Sequence, residues 1–436
     1  MSNQTYLRAG VAAFALLAGS TAMQAEVTVL GWPGGPEEAA LRAVTEIYNA
    51  KTDLAAENKV DLLFTSREGF FDKLQVDLAA GSTAFDVNLI ATYSIGKYAP
   101  FMEPVVLSDE AGKVFGDTVL KTMQFDGKQY GVPTDLSLHF LYYRKDLMDA
   151  LMSDDAAKAK YAEIAQKYLG EALQPKAPEE WTWRDFAANA LYFSQSVNPD
   201  SPTRYGTVIQ MKNLLFNMMV FHSWPRSYGA DWMDDKGNIT VDSEAYRTAL
   251  ETAKMLYDAG ATPADSTSYE YAEANAAFSA GQVAAMVQWN AAAKDLTAAQ
   301  ATTASVAPPS GPDGRFTHIH GLGLGINKAS DNKEGAAAFL NWLSTEDAAL
   351  AYAKAGGAPG LTADTVAKVA ADRPDLVQVG DYASNYGFVM NGGSSANALG
   401  VYEAQAKEFT GYWAGTQDLD TTMKNITASM SDLLKQ

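Results

Sequence analysis

Near the amino terminus, the spacing of hydrophobic residues switches repeatedly between the two-residue period of a strand and the longer period of a helix. Residues 26–31, 60–64 and 85–91 are β-branched or alternate between apolar and polar side chains, which predicts three strands. Helical spacing lies between them. The order strand, helix, strand, helix, strand predicts an α/β fold with a mostly parallel sheet and helices on both of its faces.

The two intervening helices have recognisable ends and apolar faces. Pro36 suits the start of the first helix, and Gly81 suits the end of the second. The faces expected to pack on the sheet carry Leu41, Val44, Ile47 and Tyr48 in the first helix and Phe71, Leu74 and Leu78 in the second.

The middle of the chain, from about residue 138 to 295, is helix-rich and aromatic, and Trp181 and Trp183 are expected to be packing residues there. Strand character returns from Phe316 onwards and leads into a helix for which Ser330 is the predicted cap. The α/β pattern thus resumes after a long insertion. With 436 residues, the chain is long enough for two domains.

The composition of the chain excludes several kinds of functional site and partner. The chain has no cysteine, which excludes disulfides, thiolate metal sites and cysteine nucleophiles. Its net charge of −19 argues against a nucleic-acid partner and against an anionic membrane surface, because both require clustered Lys and Arg. We expect a soluble, anionic protein that is not embedded in a membrane.

Residues 1–25 have the order of a secretory signal peptide. Arg8 precedes a short uncharged run that ends in small residues, with cleavage expected after Ala22 or Ala25. The apolar run is too short to span a membrane. No cysteine follows it, so no lipid can be attached there, and the expected location is the periplasm.

Motifs for catalysis or cofactor binding are weak. No phosphate-binding loop occurs, and the glycines of 321–325 have the wrong spacing for a dinucleotide loop, so we expect no cofactor. His318 and His320 are two residues apart and would face one side of a strand, but no third ligand is near them, and we expect no metal. Abundant carboxylates leave a secreted glycan-acting hydrolase as an alternative.

Four stretches in a fixed order carry a family resemblance. They are residues 70–87, 126–147, 276–289 and 321–359. Together they resemble the extracellular solute-binding proteins of ATP-binding-cassette importers, in particular the sugar-binding family that includes the maltose-binding proteins.

This resemblance implies a two-lobed periplasmic-binding-protein fold with several interlobe crossings and a ligand cleft. The lobes would be 26–137 plus 320–360 and 138–319 plus 361–436. The implied function is to capture a sugar, oligosaccharide, polyol or sugar derivative by hinge closure and to deliver it to an inner-membrane permease. The protein would be a monomer and not an enzyme. A binding protein for a non-sugar solute is a further alternative.

Candidate ligand residues follow from the rule that ligands lie beyond the carboxyl ends of strands in α/β sheets. Trp32, Arg67 and Tyr93 follow the three predicted strands, and Trp289 matches the family position whose ring commonly stacks on sugar. Arg67 and Arg226 would matter most for an anionic sugar. The remaining candidates are Asp135, Trp224, Asn290, His320, Gly321 and Asn391.

Overall fold

The computed structural model describes residues 26–67 and 69–434, so the predicted signal peptide lies outside the described residues. The described chain is a mixed α/β structure with two principal sheets. Its strands are β1 Val27–Gly31, β2 Val60–Phe64, β3 Val87–Ala91, β4 Met102–Glu103, β5 Gln124–Phe125, β6 Lys128–Gln129, β7 Val132–Ser137, β8 His139–Arg144, β9 Ala285–Trp289, β10 Thr303–Val306, β11 Ser310–Gly311, β12 Gly314–Arg315, β13 Thr317–His318, β14 His320–Asn327 and β15 Gly387–Phe388.

Helices cover both sheets and form most of the second half of the chain. They are α1 Gly35–Asn49, α2 Phe70–Ala79, α3 Ile95–Tyr98, α4 Ala111–Lys121, α5 Lys145–Ser153, α6 Asp155–Leu169, α7 Trp183–Tyr192, α8 Leu215–Ser227, α9 Glu244–Asp258, α10 Tyr271–Ser279, α11 Ala293–Ala299, α12 Lys333–Leu343, α13 Glu346–Ala355, α14 Ala363–Val366, α15 Pro374–Tyr386, α16 Ala398–Trp413 and α17 Leu419–Leu434. None of these described helices is long and apolar enough to cross a membrane.

The larger sheet has the strand order β2-β1-β3-β14-β4, and β7 also pairs with β14. β1 is parallel to β2 and β3, whereas β14 is antiparallel to β3, β4 and β7. The prediction of a mostly parallel sheet was therefore wrong. The reason is topological: β14 enters the sheet after the long insertion and runs in the reverse direction, which the local pattern of the first three strands does not reveal.

The smaller sheet is antiparallel, with the order β10-β8-β9. In it, His139 at the start of β8 lies opposite Trp289 at the end of β9. Buried apolar residues from both sheets, such as Val29 of β1 and Val287 of β9, belong to one connected cluster, while Phe140 and Met286 on the other face of the smaller sheet belong to a second one. The two lobes of the fold thus lie against each other over a common apolar interior.

Two crossings between the sheets lie side by side. The chain leaves the larger sheet at Ser137 and enters the smaller one at His139, and it returns at His320, which pairs with Ser137. Thr317 links the two crossings, because its hydroxyl oxygen accepts a hydrogen bond from the backbone N–H of His139 at 2.9 Å. The assignment of the segments outside the sheets to one lobe or the other stays a prediction.

Two local predictions need correction. Ile47 is 49% exposed, although Leu41, Val44 and Tyr48 of the same helix are buried. The cap of α12 is Asn332, whose side chain accepts from the backbone N–H of Gly335, while the hydroxyl of Ser330 donates to Asp86. Trp181 and Trp183 are buried packing residues, as predicted.

Candidate ligand-binding site

A cavity lies where the loops after β1 and β3 meet α8, α10 and the end of β9. It encloses about 420 Å³, counting the part that is open to solvent. Both principal sheets and the helical insertion contribute to its walls, so it occupies the place expected for a cleft between lobes. Its lining residues are Trp32, Glu37, Arg67, Tyr93, Ser137, Phe216, Tyr271, Trp289, Ala291, His320 and Leu322.

Aromatic rings form much of the wall. Trp32 meets Phe70 and Phe71 of α2 edge to face at 5.3 and 5.9 Å between ring centroids. It also meets Phe216 of α8 at 6.0 Å, so this one indole contacts both the amino-terminal sheet region and the helical insertion. Such edge-to-face pairs hold rings in a fixed orientation, which gives a rigid apolar surface for a ligand.

Arg67 lies against two of these rings. Its guanidinium carbon is 5.1 Å from the ring centroid of Trp32 and 4.9 Å from that of Phe216. Cation–π attraction to both rings holds the charged group at the cavity.

His320 connects the two sides of the site. Its ring lies 5.4 Å from that of Tyr93, beyond β3, and 4.9 Å from that of Trp289, at the end of β9. Trp289 in turn contacts His139 at 4.3 Å. The structure therefore brings together five of the predicted site residues, and ligand contact by each of them stays a prediction. They are Trp32, Arg67, Tyr93, Trp289 and His320.

Several polar atoms at this cavity are buried without a hydrogen-bond partner in the described residues. Buried polar groups are nearly always paired in folded proteins, so a cluster of unpaired ones indicates a place for a polar ligand or for water. These atoms are Trp32 Nε1, Arg67 Nε, Tyr93 Oη, Tyr271 Oη and His320 Nδ1.

The histidines are neutral. Burial lowers the pKa of His320 to about 3 and that of His222 to about 4. Burial, together with the neighbouring imidazoles, lowers the pKa of His139 and His318 well below the usual value. His318 ends β13 and His320 begins β14, so the predicted pair is split between two strands. No group of three or more metal-ligating side chains occurs in the described part of the chain.

Glu37 is a site residue that the sequence reasoning missed. It lies in the first turn of α1 and lines both the main cavity and a smaller one beside it. Burial, and then the charge of Asp135, raises its pKa to about 7, which Arg67 partly opposes. An acidic residue in the first turn of a helix is normally interpreted as stabilising the helix through its dipole. Its place in the first turn of the helix that follows the first strand was the available signal.

Three further candidates have structural partners. Asp135 accepts from the Tyr352 hydroxyl at 2.5 Å and from the Ala358 N–H at 2.7 Å, and burial raises its pKa. Asn290 accepts from the N–H of Leu138 and donates to the carbonyl of Leu136.

Gly321 donates its N–H to Thr92, and a Cβ there would lie 2.3 Å from Thr122 Oγ1. Asp135 lines only the smaller cavity, and the main one includes neither Asn290 nor Gly321. All three have hydrogen bonds within the protein, which explains their burial without a ligand.

The structure does not bring Trp224 or Asn391 to the site. Trp224 stacks on Trp183 at 4.4 Å with the planes only 7° apart, beside a different cavity. Asn391 donates to the carbonyl of Met233 and to Asp235 and lines a separate surface depression. Both were predicted from residue type, but each packs against other residues outside the cavity.

Two lobes with a cavity of aromatic rings and unpaired polar atoms between them are typical of a ligand-binding protein of the two-lobed class. A family model for bacterial extracellular solute-binding proteins matches residues 34–350. The chain belongs to this family.

Similar proteins agree with this assignment. A binding protein of Brucella abortus is 25% identical over 283 residues, which are 63% of this chain and 62% of that relative. The lactose-binding protein of Rhizobium radiobacter is 32% identical over 146 residues, which are 32% of this chain and 34% of that protein. Among solved structures, maltose-bound MalE3 of T. maritima matches with a TM-score of 0.79 at 22% identity, covering 94% of this chain and all of that one.

Proposed function

We propose that this protein is the substrate-binding component of an ATP-binding-cassette importer and that it captures a carbohydrate-class solute. The observation that carries the proposal is the cavity, in which aromatic walls and unpaired polar atoms converge between the lobes. A sugar has an apolar C–H face and a polar rim, and flat rings with a few placed donors match both. Relatives named for lactose and maltose support this choice.

Hinge closure is the proposed means of capture. Trp32 and Arg67 come from one side of the cleft and Phe216 from the other, so their mutual contacts form only when the two sides are close together. A ligand that contacts both sides favours the closed form by its differential affinity. An affinity of about 1 μM corresponds to about 8 kcal/mol, which is enough to select the closed form and still allow release.

The partner and the location follow from this role. We propose that the mature protein is a monomer in the periplasm that delivers its ligand to an inner-membrane permease. Support comes from the family, whose members are extracellular, and from the signal-peptide pattern of residues 1–25.

The alternative of a glycan hydrolase is disfavoured by the lining of the site. Glycoside hydrolysis ordinarily uses two carboxyl groups on either side of the bond. Among the described residues that line the main cavity, Glu37 is the one carboxylate, and both oxygens of nearby Asp135 are already hydrogen-bonded. We therefore expect no product from a panel of chromogenic glycosides.

The test is ligand-dependent thermal stabilisation across a panel of sugars, polyols and sugar acids, with amino acids as the comparison class. We expect a rise in the unfolding midpoint with at least one carbohydrate, because a ligand that binds only the folded state stabilises it. Native mass spectrometry of protein purified from its own host gives the mass of any retained ligand. Stabilisation by amino acids alone would contradict the proposal.

A further inference from the structure

Side chains that can only donate hydrogen bonds outnumber those that can only accept them at the main cavity. Among the described lining residues, Trp32, Arg67 and Trp289 are donors only. Glu37 is the single residue there that only accepts, and it does so only when its carboxyl group is ionised. The other polar side chains of the lining can do both. A neutral sugar hydroxyl donates as well as accepts, so this excess of donors is better matched by a ligand group that only accepts hydrogen bonds.

Arg67 also has no counter-ion in the part of the chain that the structure describes. Within residues 26–67 and 69–434, no carboxylate lies within ion-pair distance of its guanidinium, and its Nε atom is buried and unpaired. Arg226 and Arg373 differ, because they pair with Asp231 at 3.5 Å and with Asp375 at 2.6 Å. A partly buried cation is costly without an anionic partner.

Glu37 does not supply that partner. It lines the same cavity but makes no ion pair with Arg67. Burial and the nearby Asp135 raise its pKa to about 7, so a large part of the protein carries a neutral Glu37 near neutral pH. A neutral carboxyl group is a further donor, which increases the excess of donors around the cavity.

We infer that the ligand is an anionic carbohydrate, a sugar or sugar derivative with one carboxylate, sulfonate or phosphate group, and that Arg67 binds this group. The inference rests on the proposed function and specifies its substrate class. A planar guanidinium binds oxyanions with two parallel hydrogen bonds, and the guanidinium of Arg67 makes no hydrogen bond to any other described residue.

The experiment uses pairs of ligands that differ only in the charged group. Isothermal titration calorimetry with the mature protein compares glucose with glucuronate, galactose with galacturonate, and glucose with its 6-phosphate and its 6-sulfonate analogue. We expect at least one anionic member to bind about tenfold or more tightly than its neutral counterpart. The carboxylate, phosphate and sulfonate arms distinguish the sources of the charge.

Variants of Arg67 then test the residue. Arg67→Gln should weaken binding of the anionic ligand by about 30-fold or more and change binding of the neutral member by less than about threefold. Arg67→Lys should recover part of the loss, because it keeps the charge but not the bidentate geometry. The control is Arg184→Gln on the surface, where the arginine pairs with Glu171. Circular dichroism without ligand checks that each variant is folded.

The outcomes separate the two proposals. Equal or tighter binding of the neutral members by the wild type would overturn the charge inference and leave the proposed function standing. Unchanged binding of the anionic ligand by folded Arg67→Gln would also overturn it. If no carbohydrate in the panel bound, the proposed function would be overturned, and the inference with it.

Discussion

At the scale of single residues, Trp289 and Trp224 show how similar side chains acquire different roles. Both are buried, but Trp289 lines the main cavity and Trp224 stacks on Trp183 away from it. Replacing either indole by leucine removes buried ring volume, which we expect to cost about 2–4 kcal/mol of stability in each case. Only the first replacement should affect the ligand.

The expected result is a loss of affinity of about tenfold or more for Trp289→Leu and less than about twofold for Trp224→Leu. Titration calorimetry measures the affinity, and urea denaturation without ligand measures the stability. Equal affinity losses in the two variants would show that Trp289 acts through the general stability of the fold.

Glu37 makes stability depend on pH. Its pKa is about 7 in the folded protein and near the ordinary 4.5 when unfolded, so the folded state binds an extra proton between these values. The free energy of unfolding therefore falls as the pH rises from about 4.5 to 7 and does not recover above this range.

Glu37→Gln should remove this loss and be more stable than the wild type by about 1–3 kcal/mol at pH 8, with no difference at pH 4. Denaturant unfolding at several pH values gives the measurement. Glu46→Gln, at an exposed position of the same helix, is the control. A difference between Glu37→Gln and the wild type that is constant with pH would contradict the assignment.

At the scale of elements, Asn290 fastens the first crossing between the sheets. Its side chain bonds the Leu138 N–H at 3.0 Å and the Leu136 carbonyl at 3.1 Å, and its own N–H donates to the Leu138 carbonyl. These hydrogen bonds take the place of those that a neighbouring strand would make to the backbone between β7 and β8.

Asn290→Ala leaves a buried backbone donor and a buried acceptor unpaired, which should cost about 2–4 kcal/mol. Asn385→Ala, which removes a hydrogen bond to Asp381 on the surface, should cost less than about 0.5 kcal/mol. Urea unfolding of both variants checks this, and a small loss in Asn290→Ala would mean that the crossing holds without this side chain.

The ends of the strands could be predicted from the sequence, but the residues that pack opposite them across the cavity could not. Alternating and β-branched residues located the loops that carry Trp32, Arg67 and Tyr93, because this signal is local. Phe216 and Tyr271 reach the same cavity from distant helices, which no local pattern indicates. Asn290 and Asp135 were predicted as ligand contacts, but their hydrogen bonds within the protein depend on three-dimensional contacts that no local pattern indicates.

At the scale of the whole molecule, the charge of the chain opposes the charge of an anionic ligand. The net charge is −19, and at about 0.01 M salt the field reaches about 30 Å, so an approaching anion is affected by the whole protein rather than by Arg67 alone. Added salt shortens this range to about 10 Å at 0.1 M.

The association rate of an anionic ligand should therefore rise by about two- to fivefold between 0.01 and 0.1 M NaCl. Stopped-flow measurement of tryptophan fluorescence follows it, with a neutral ligand of the same protein as the control. A rate that falls with added salt would mean that the field near Arg67 dominates the approach.

The late entry of β14 into the larger sheet has a consequence for the order of folding. This strand pairs with β3 and β7, from which it is separated by about two hundred residues of chain. The strands β3, β4 and β7 are therefore synthesised long before β14, the partner that they share, and contacts of this range fold slowly. A fragment that ends at residue 145 should lack cooperative unfolding, and adding a peptide of residues 318–345 should restore it.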